Sequence, residues 1–233
     1  MILDIDAGNT FIKWRLSDGR RGRLLTADLT DAGVRDWGSG LDQVRVASVA
    51  GEPVNQTIKQ YCNRFGLPMP RFARTKAVAA GVTNSYTNPS RMGVDRWLAM
   101  LAAYNDAHAE CCVVDCGSAI TVDYISATGE HLGGYIIPGL RLMQRGLLSN
   151  TAEILVDQAV EGFDILPGKH TSAAVMHGIN FTFQALVEKI IKDTGGCHLY
   201  ITGGDGELFH HLAGGGRLIP DLVLDGLPWG IEN

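Results

Sequence analysis

The chain opens on alternating apolar and polar positions. Ile2, Leu3 and Ile5 lead into Asp6, and further on Phe11, Lys13 and Arg15 alternate with Ile12, Trp14 and Leu16. Period-two alternation marks a half-buried strand. Ala7-Gly8-Asn9-Thr10 has the composition of a tight turn. Residues 1–16 therefore read as strand, turn, strand, with a third strand over 20–26 and another over 43–48. Pro53 opens a helix that Gly66 closes, and Ile58, Tyr61, Cys62 and Phe65 give it one buried face. Residues 28–40 read as a loop or ragged helix, 71–75 as a short strand and 81–92 as a polar loop around Tyr86. Gly93 begins a helix whose apolar stripe is Val94, Trp97, Leu98, Leu101 and Ala102.

The second half repeats the opening. Cys112 to Val114 run apolar into Asp115, then Cys116-Gly117-Ser118-Ala119, then a strand over 120–125. A turn over 127–130 returns the chain as a strand over 131–137, in which His131 reads as a surface or edge residue with no assigned role. Residues 140–148 begin a helix after Pro138-Gly139, and Thr171 reads as the cap of a long helix reaching about Thr194. Its packed positions are expected at Ala174, Val175, Gly178, Phe181, Leu186 and Ile190, and Gly195-Gly196 ends it. Then come a strand over 198–201, a Gly-rich turn over 202–206, a helix over 207–212 and a last strand over 218–224. The polar stretch 105–110 is the expected boundary between domains 1–110 and 111–233.

Composition narrows the function. The 233 residues are 45% hydrophobic with a net charge of −5, which suits a globular core and gives no sign of nucleic-acid or anionic-membrane binding. No apolar run approaches the roughly 20 residues of a membrane span, and Asp4 and Asp6 argue against an export signal, so a cytoplasmic location is expected. Five cysteines, Cys62, Cys111, Cys112, Cys116 and Cys197, fit reduced thiols, and no ligand spacing for zinc accompanies them.

The chemistry is concentrated in the two Asp-x-Gly turns. A glycine lets backbone approach a phosphate, Asn9 and Thr10 add donors, Lys13 adds positive charge, and Asp6 can orient a hydrated metal ion. Asp95 falls in the first helical turn, where a carboxylate is favoured by the dipole, and its spacing fits a helix-start residue as well as a catalytic one. Arg96 suits either a structural salt bridge or a bidentate grip on a substrate carboxylate.

Five segments in order resemble the type III pantothenate kinases, within the superfamily of actin, acetate kinase, sugar kinases and heat-shock chaperone ATPases. They are Asp6-Ala7-Gly8-Asn9-Thr10, Gly93-Val94-Asp95-Arg96-Trp97, Asp115-Cys116-Gly117-Ser118-Ala119, Gly133-Gly134-Tyr135-Ile136-Ile137-Pro138-Gly139 and Thr202-Gly203-Gly204-Asp205. The resemblance implies an α/β fold of two ribonuclease-H-like domains, mixed β-sheets flanked by helices, with a nucleotide cleft between them. It implies ATP-dependent phosphorylation of pantothenate to 4′-phosphopantothenate, the first step of coenzyme A synthesis. Asp95 would be the general base. Asp6, Ala7, Gly8, Asn9, Thr10, Phe11, Ile12, Lys13 and Ser118 would hold ATP, and Asp6 would orient Mg²⁺. Asp115 would hold a monovalent cation, K⁺ or NH₄⁺. Tyr86, Gly93, Val94, Asp95, Arg96 and Thr171 would line the pantothenate pocket, and residues 150–152 match a segment near it. Ser118 stands where the family usually has Thr, keeping the hydroxyl. The resemblance also implies a homodimer. Two other readings stay open: a kinase for another small alcohol or carboxylate, and a catalytically inactive nucleotide-binding regulator.

Overall fold

The computed structural model describes residues 1–30, 34–149, 154 and 156–231. Two compact units emerge. One holds residues 1–110, 123–133 and 221–233, and the other residues 111–122 and 134–220.

In the first unit the opening alternation folds as read. Strands β1 (Ile2–Ala7), β2 (Phe11–Leu16), β3 (Arg21–Leu25), β4 (Gln43–Ser48) and β5 (Arg71–Phe72) form one sheet in the order β3-β2-β1-β4-β5. β1 pairs antiparallel with β2 and parallel with β4. Leu3, Ile5, Ile12, Val44 and Val46 are buried completely, each contributing about 1.5–3 kcal/mol of apolar transfer. Helix α1 (Glu52–Arg64) adds Ile58 and Cys62 to this core. Phe65, expected on the same face, is 45% exposed, because it is the C-cap residue, past the last helical turn. Trp37 lies in a 3-10 turn over Arg35–Trp37 and is fully buried, so the stretch read as loop or ragged helix supplies a core residue.

The polar loop over 81–92 is more ordered than its composition suggests. Strands β6 (Val78–Ala79) and β7 (Val82–Thr83) form a hairpin, and both turn residues, Ala80 and Gly81, have positive φ (47° and 81°). Two left-handed residues give the turn a twist that matches its strands. Helix α2 (Val94–Ala107) runs further than the stripe implied and is buried nearly all round from Val94 to Ala103.

The remaining strands are β8 (Cys111–Cys116), β9 (Ala119–Ile125), β10 (His131–Pro138), β11 (His198–Thr202) and β12 (Arg217–Leu218), in the order β10-β9-β8-β11-β12. Counted from its first strand, each sheet has the order 3-2-1-4-5. Helices α3 (Leu140–Ser149), α4 (Thr171–Thr194) and α5 (Gly206–Ala213) belong to the second unit, where Phe183 of α4 meets Phe209 of α5 edge to face at 6.2 Å. In α4 the buried positions are Ser172, Ala173, Val175, Ile179, Asn180, Phe183, Val187 and Ile190. Ala174 and Gly178 are exposed and Phe181 is 60% exposed, so half of the positions expected to pack face outward.

The last strand expected over 218–224 is corrected. Only Arg217–Leu218 pair, and the chain then forms helix α6 (Leu222–Gly230). Its glycine face lies on α2: a Cβ at Gly226 would meet the Leu98 carbonyl, and one at Gly230 the Leu98 side chain. Among the described residues no helix is long and apolar enough to cross a membrane.

Candidate active site

The register of β1 on β2 sets Asp6 across from Lys13 and Ala7 across from Ile12. Ala7 and Ile12 are fully buried, so what they offer a ligand is backbone. Asp6, Phe11 and Lys13 are half-buried, and Asn9 and Thr10 are exposed at the tip. Two residues before Asp6 on the same face, Asp4 is taken up by Arg45 at 2.6 and 2.9 Å and approached by Arg15 at 3.6 Å. The Gly8 N–H donates to the Phe11 carbonyl at 2.9 Å, closing the turn. Thr26 braces it, donating its hydroxyl to the Gly8 carbonyl at 2.7 Å and its N–H to the Thr10 carbonyl at 3.0 Å. The Gly8 N–H is thus spent within the turn, and Asn9 and Thr10 are what the tip presents. A strand-end carboxylate across from a lysine, beside an exposed amide and hydroxyl, fits a triphosphate with a hydrated Mg²⁺, which needs only one or two protein carboxylates.

At the start of α2, Asp95 folds back toward its own N-terminus. Its Oδ1 accepts the Arg96 N–H at 2.8 Å and lies where a Cβ on Gly93 would stand, 2.5 Å away. Gly93 is therefore needed for room. Burial pushes the Asp95 carboxyl above its ordinary pKa, and the Arg96 N–H and charge recover part of that. A half-buried carboxylate tuned upward suits a general base.

Arg96 is buried. Its Nε and Nη2 donate to the two oxygens of Asp123 at 2.9 and 2.5 Å, and its Nη1 donates to the Tyr86 hydroxyl at 3.0 Å. Burial works against its charge, but the hydrogen bonds to Asp123 and Tyr86 more than offset this and hold the guanidinium charged. The fork expected for a substrate carboxylate is thus occupied by Asp123, leaving the edge toward Tyr86. His131 corrects the sequence reading more sharply. It is 3% exposed, its Nε2 lies 3.0 Å from Asp123 and its Nδ1 2.8 Å from the Ser85 hydroxyl. Asp123, His131 and Ser85 were all missed. One sign was present: Asp123 is an acid in the apolar run 120–125, and a buried acid demands partners.

In the second unit, the turn after Asp115 is packed backbone on backbone. The Gly117 N–H donates to the Ala119 carbonyl at 3.1 Å, Gly139 to the Ser118 carbonyl at 3.1 Å, and Asp205 to the Cys116 carbonyl at 2.9 Å. A Cβ on Gly139 would stand 2.5 Å from the Gly117 carbonyl oxygen, and one on Gly203 would overlap Asp115. Asp115 is half-buried and Ser118 exposed. Burial drives the Cys116 thiol far up, and the charges of Asp115 and Asp205 add to it, so two carboxylates bear on this turn. Burial also raises the Asp205 carboxyl, with the Arg141 charge acting the other way.

Thr171 stands elsewhere in this unit, at the exposed first position of α4. The cap is His170, whose Nδ1 accepts the Ala173 N–H at 3.4 Å, so Thr171 is left without the capping role. It lines a cavity of about 660 Å³ with Met143, Leu147, Val175 and Ile179. The 150–152 segment lies outside the described residues.

Comparison with known proteins follows the same line. A profile of the type III pantothenate kinases matches residues 2–193. The type III pantothenate kinase of Marinobacter nauticus is 40% identical over 235 residues, covering 97% of this chain and 96% of that protein. That of Cellvibrio japonicus is 37% identical, covering 97% and 95%. Among solved structures, a Campylobacter jejuni protein described as a Baf-family transcriptional activator aligns with a TM-score of 0.59 at 22% identity, over 97% of this chain and 95% of that one. A Sinorhizobium meliloti protein described as a 2-dehydro-3-deoxygalactonokinase aligns with a TM-score of 0.60 at 13% identity, over 98% and 95%. Those two likenesses concern the fold alone, an α/β architecture. The near-full-length relatives and the profile decide the family: this chain belongs to the type III pantothenate kinases.

Proposed function

We propose that the chain transfers the terminal phosphoryl group of ATP to the hydroxyl of pantothenate, giving 4′-phosphopantothenate and ADP, the first step of coenzyme A synthesis. The observation that carries the reading is Asp95: a half-buried carboxylate with a raised pKa, given room by Gly93 and set beside the Arg96–Tyr86 pair. Phosphoryl transfer needs positioning, charge neutralisation and one group to take the hydroxyl proton. Asp95 is that group. Tyr86, Gly93, Val94 and Arg96 shape the pantothenate pocket of the first unit, and the Thr171 hydroxyl is a further substrate contact. Asn9, Thr10 and Lys13 meet the phosphates through side chains, with Ala7, Gly8, Phe11 and Ile12 forming the wall beneath, and the Ser118 hydroxyl is a further phosphate donor. Asp6 holds the water shell of Mg²⁺, which when bound neutralises phosphate charge. Asp115, with Asp205 near the same turn, gives a monovalent cation, K⁺ or NH₄⁺, a negative seat. The active form is a homodimer, and the enzyme works in the cytoplasm.

The test is a coupled assay of ADP release with pantothenate against a panel of small alcohols and carboxylates, with and without K⁺. Turnover with pantothenate that rises with K⁺ supports the reading. Turnover with another acceptor only, or ATP binding without any turnover, overturns it. The base must be ionised to take a proton, so activity falls as pH drops through the raised Asp95 pKa. The acid limb of kcat/KM is expected above the ordinary aspartate value of 3.8, and a limb at or below that value contradicts the assignment.

A further inference from the structure

The hydrogen-bond chain behind Arg96 has no place in the chemistry above, yet Arg96, Asp123 and His131 within it are all buried. Asp123 accepts from Nε and Nη2 of Arg96 at 2.9 and 2.5 Å and lies 3.0 Å from His131 Nε2. A carboxylate can only accept, so His131 carries its proton on Nε2. Its other ring nitrogen, Nδ1, shares a hydrogen bond with the Ser85 hydroxyl at 2.8 Å. The chain runs from Ser85 through His131 and Asp123 to Arg96 and ends on the Tyr86 hydroxyl at 3.0 Å. It begins and ends on neighbouring residues of one loop.

That loop is held at other points too. The Tyr86 N–H donates to the Asn84 side chain at 2.9 Å, and the Thr83 N–H donates to the Gly129 carbonyl at 2.8 Å. Gly129 has φ +83°, and a Cβ there would overlap the Gly81 carbonyl. The β6–β7 hairpin and the β9–β10 turn are thus packed with no space for a side chain. Tyr86 lies between Arg96, 5.8 Å from its ring centroid, and the His131 ring, 6.2 Å away. A tyrosine on an exposed loop would ordinarily sample several rotamers. Here one buried network holds its ring and its hydroxyl.

We propose that Asp123, His131 and Ser85 are positioning residues for the acceptor side of the site: they fix Arg96 and Tyr86 in the geometry that receives the pantothenate end of the reaction. This rests on the assignment of Tyr86 and Arg96 to the pantothenate pocket. Asp123 also balances the charge of Arg96, so the pair presents hydrogen-bond donors to the acceptor without a bare buried cation.

Steady-state kinetics with each substrate varied separately tests this. Ser85 is exposed, so Ser85→Ala removes only the outer hydrogen bond and is expected to raise the KM for pantothenate about threefold. His131→Phe keeps a ring but leaves Asp123 one bond short, and the expected rise is about tenfold or more. His131→Gln keeps a donor for Asp123 and is expected to recover most of that loss. In all three the KM for ATP and kcat stay within about twofold of wild type, because the affected interaction is uniform binding of the acceptor. Unchanged pantothenate KM in Ser85→Ala and His131→Phe overturns the proposal, as does a parallel rise in both KM values, which is the mark of a general structural role. If His131→Phe does not fold, Ser85→Ala and His131→Gln decide. If the wild type turns over a different acceptor, the same variants are read on that acceptor: the substrate assignment then fails while the positioning role stands or falls on its own KM shift.

Discussion

The two Asp-x-Gly turns share a layout in sequence and differ in how they are built. The turn after Asp6 is a hairpin tip, closed by one ladder hydrogen bond from Gly8 and braced from outside by Thr26. A side chain at Gly8 would come within 3.2 Å of the Phe11 carbonyl, closer than ordinary van der Waals contact. The turn after Asp115 is instead wedged among two other backbone segments, those of Gly139 and Gly203, with no room for a side chain at either glycine. At the turns' own glycines the order is reversed, since a Cβ on Gly117 would make only ordinary 3.5 Å contacts; the tightness of the second turn lies in its neighbours Gly139 and Gly203.

Substitution should expose this difference. Gly203→Ala places a methyl against Asp115 at a φ of +92° and is expected to cost about 3 kcal/mol of stability or more, whereas Gly8→Ala costs about 1 kcal/mol or less. Urea unfolding of both variants measures the contrast, and equal losses would break it. Next in size are the carboxylates. Asp6→Asn is expected to raise the Mg²⁺ concentration for half-maximal activity about 10–100-fold, the usual cost of losing a group that orients a metal's shell. Asp115→Asn is expected to leave the Mg²⁺ requirement nearly unchanged and to weaken the response to K⁺. Activity titrations with each ion separate the two; a shared shift in Mg²⁺ requirement would merge the roles. Smallest is Thr26→Val, which removes the brace on Gly8 and is expected to cost about 1 kcal/mol by thermal unfolding, with no measurable change refuting the bracing role.

What could be read from the sequence follows from how local each cause is. The strands at Ile2–Ala7 and Phe11–Leu16 are written in alternation, and α1 in Pro53, Gly66 and its apolar spacing, so both were legible. So were the two acidic turns and the helix carrying Asp95, since each motif is contiguous. The terminal helix Leu222–Gly230 was not. Its apolar run is too short to show a period, and its two glycines, which read as helix breakers, are there because α2 leaves no room for larger residues. Phe65 and Phe181 fit the helical spacing, but one is a C-cap and the other faces outward, and periodicity alone does not say which flank meets a core. His131 was illegible for a related reason. Its partner Asp123 lies across a hairpin, Ser85 is 46 residues earlier, and nothing in the strand over 131–137 announces either.

The central claim is that Asp95 takes the acceptor proton. Pantothenate-dependent ADP release by Asp95→Asn, measured alongside its ATP binding, tests it most directly. The expected result is a fall in turnover of about 10²–10⁴ with nucleotide affinity within about twofold of wild type. Turnover near the wild-type rate in that variant would contradict the assignment outright.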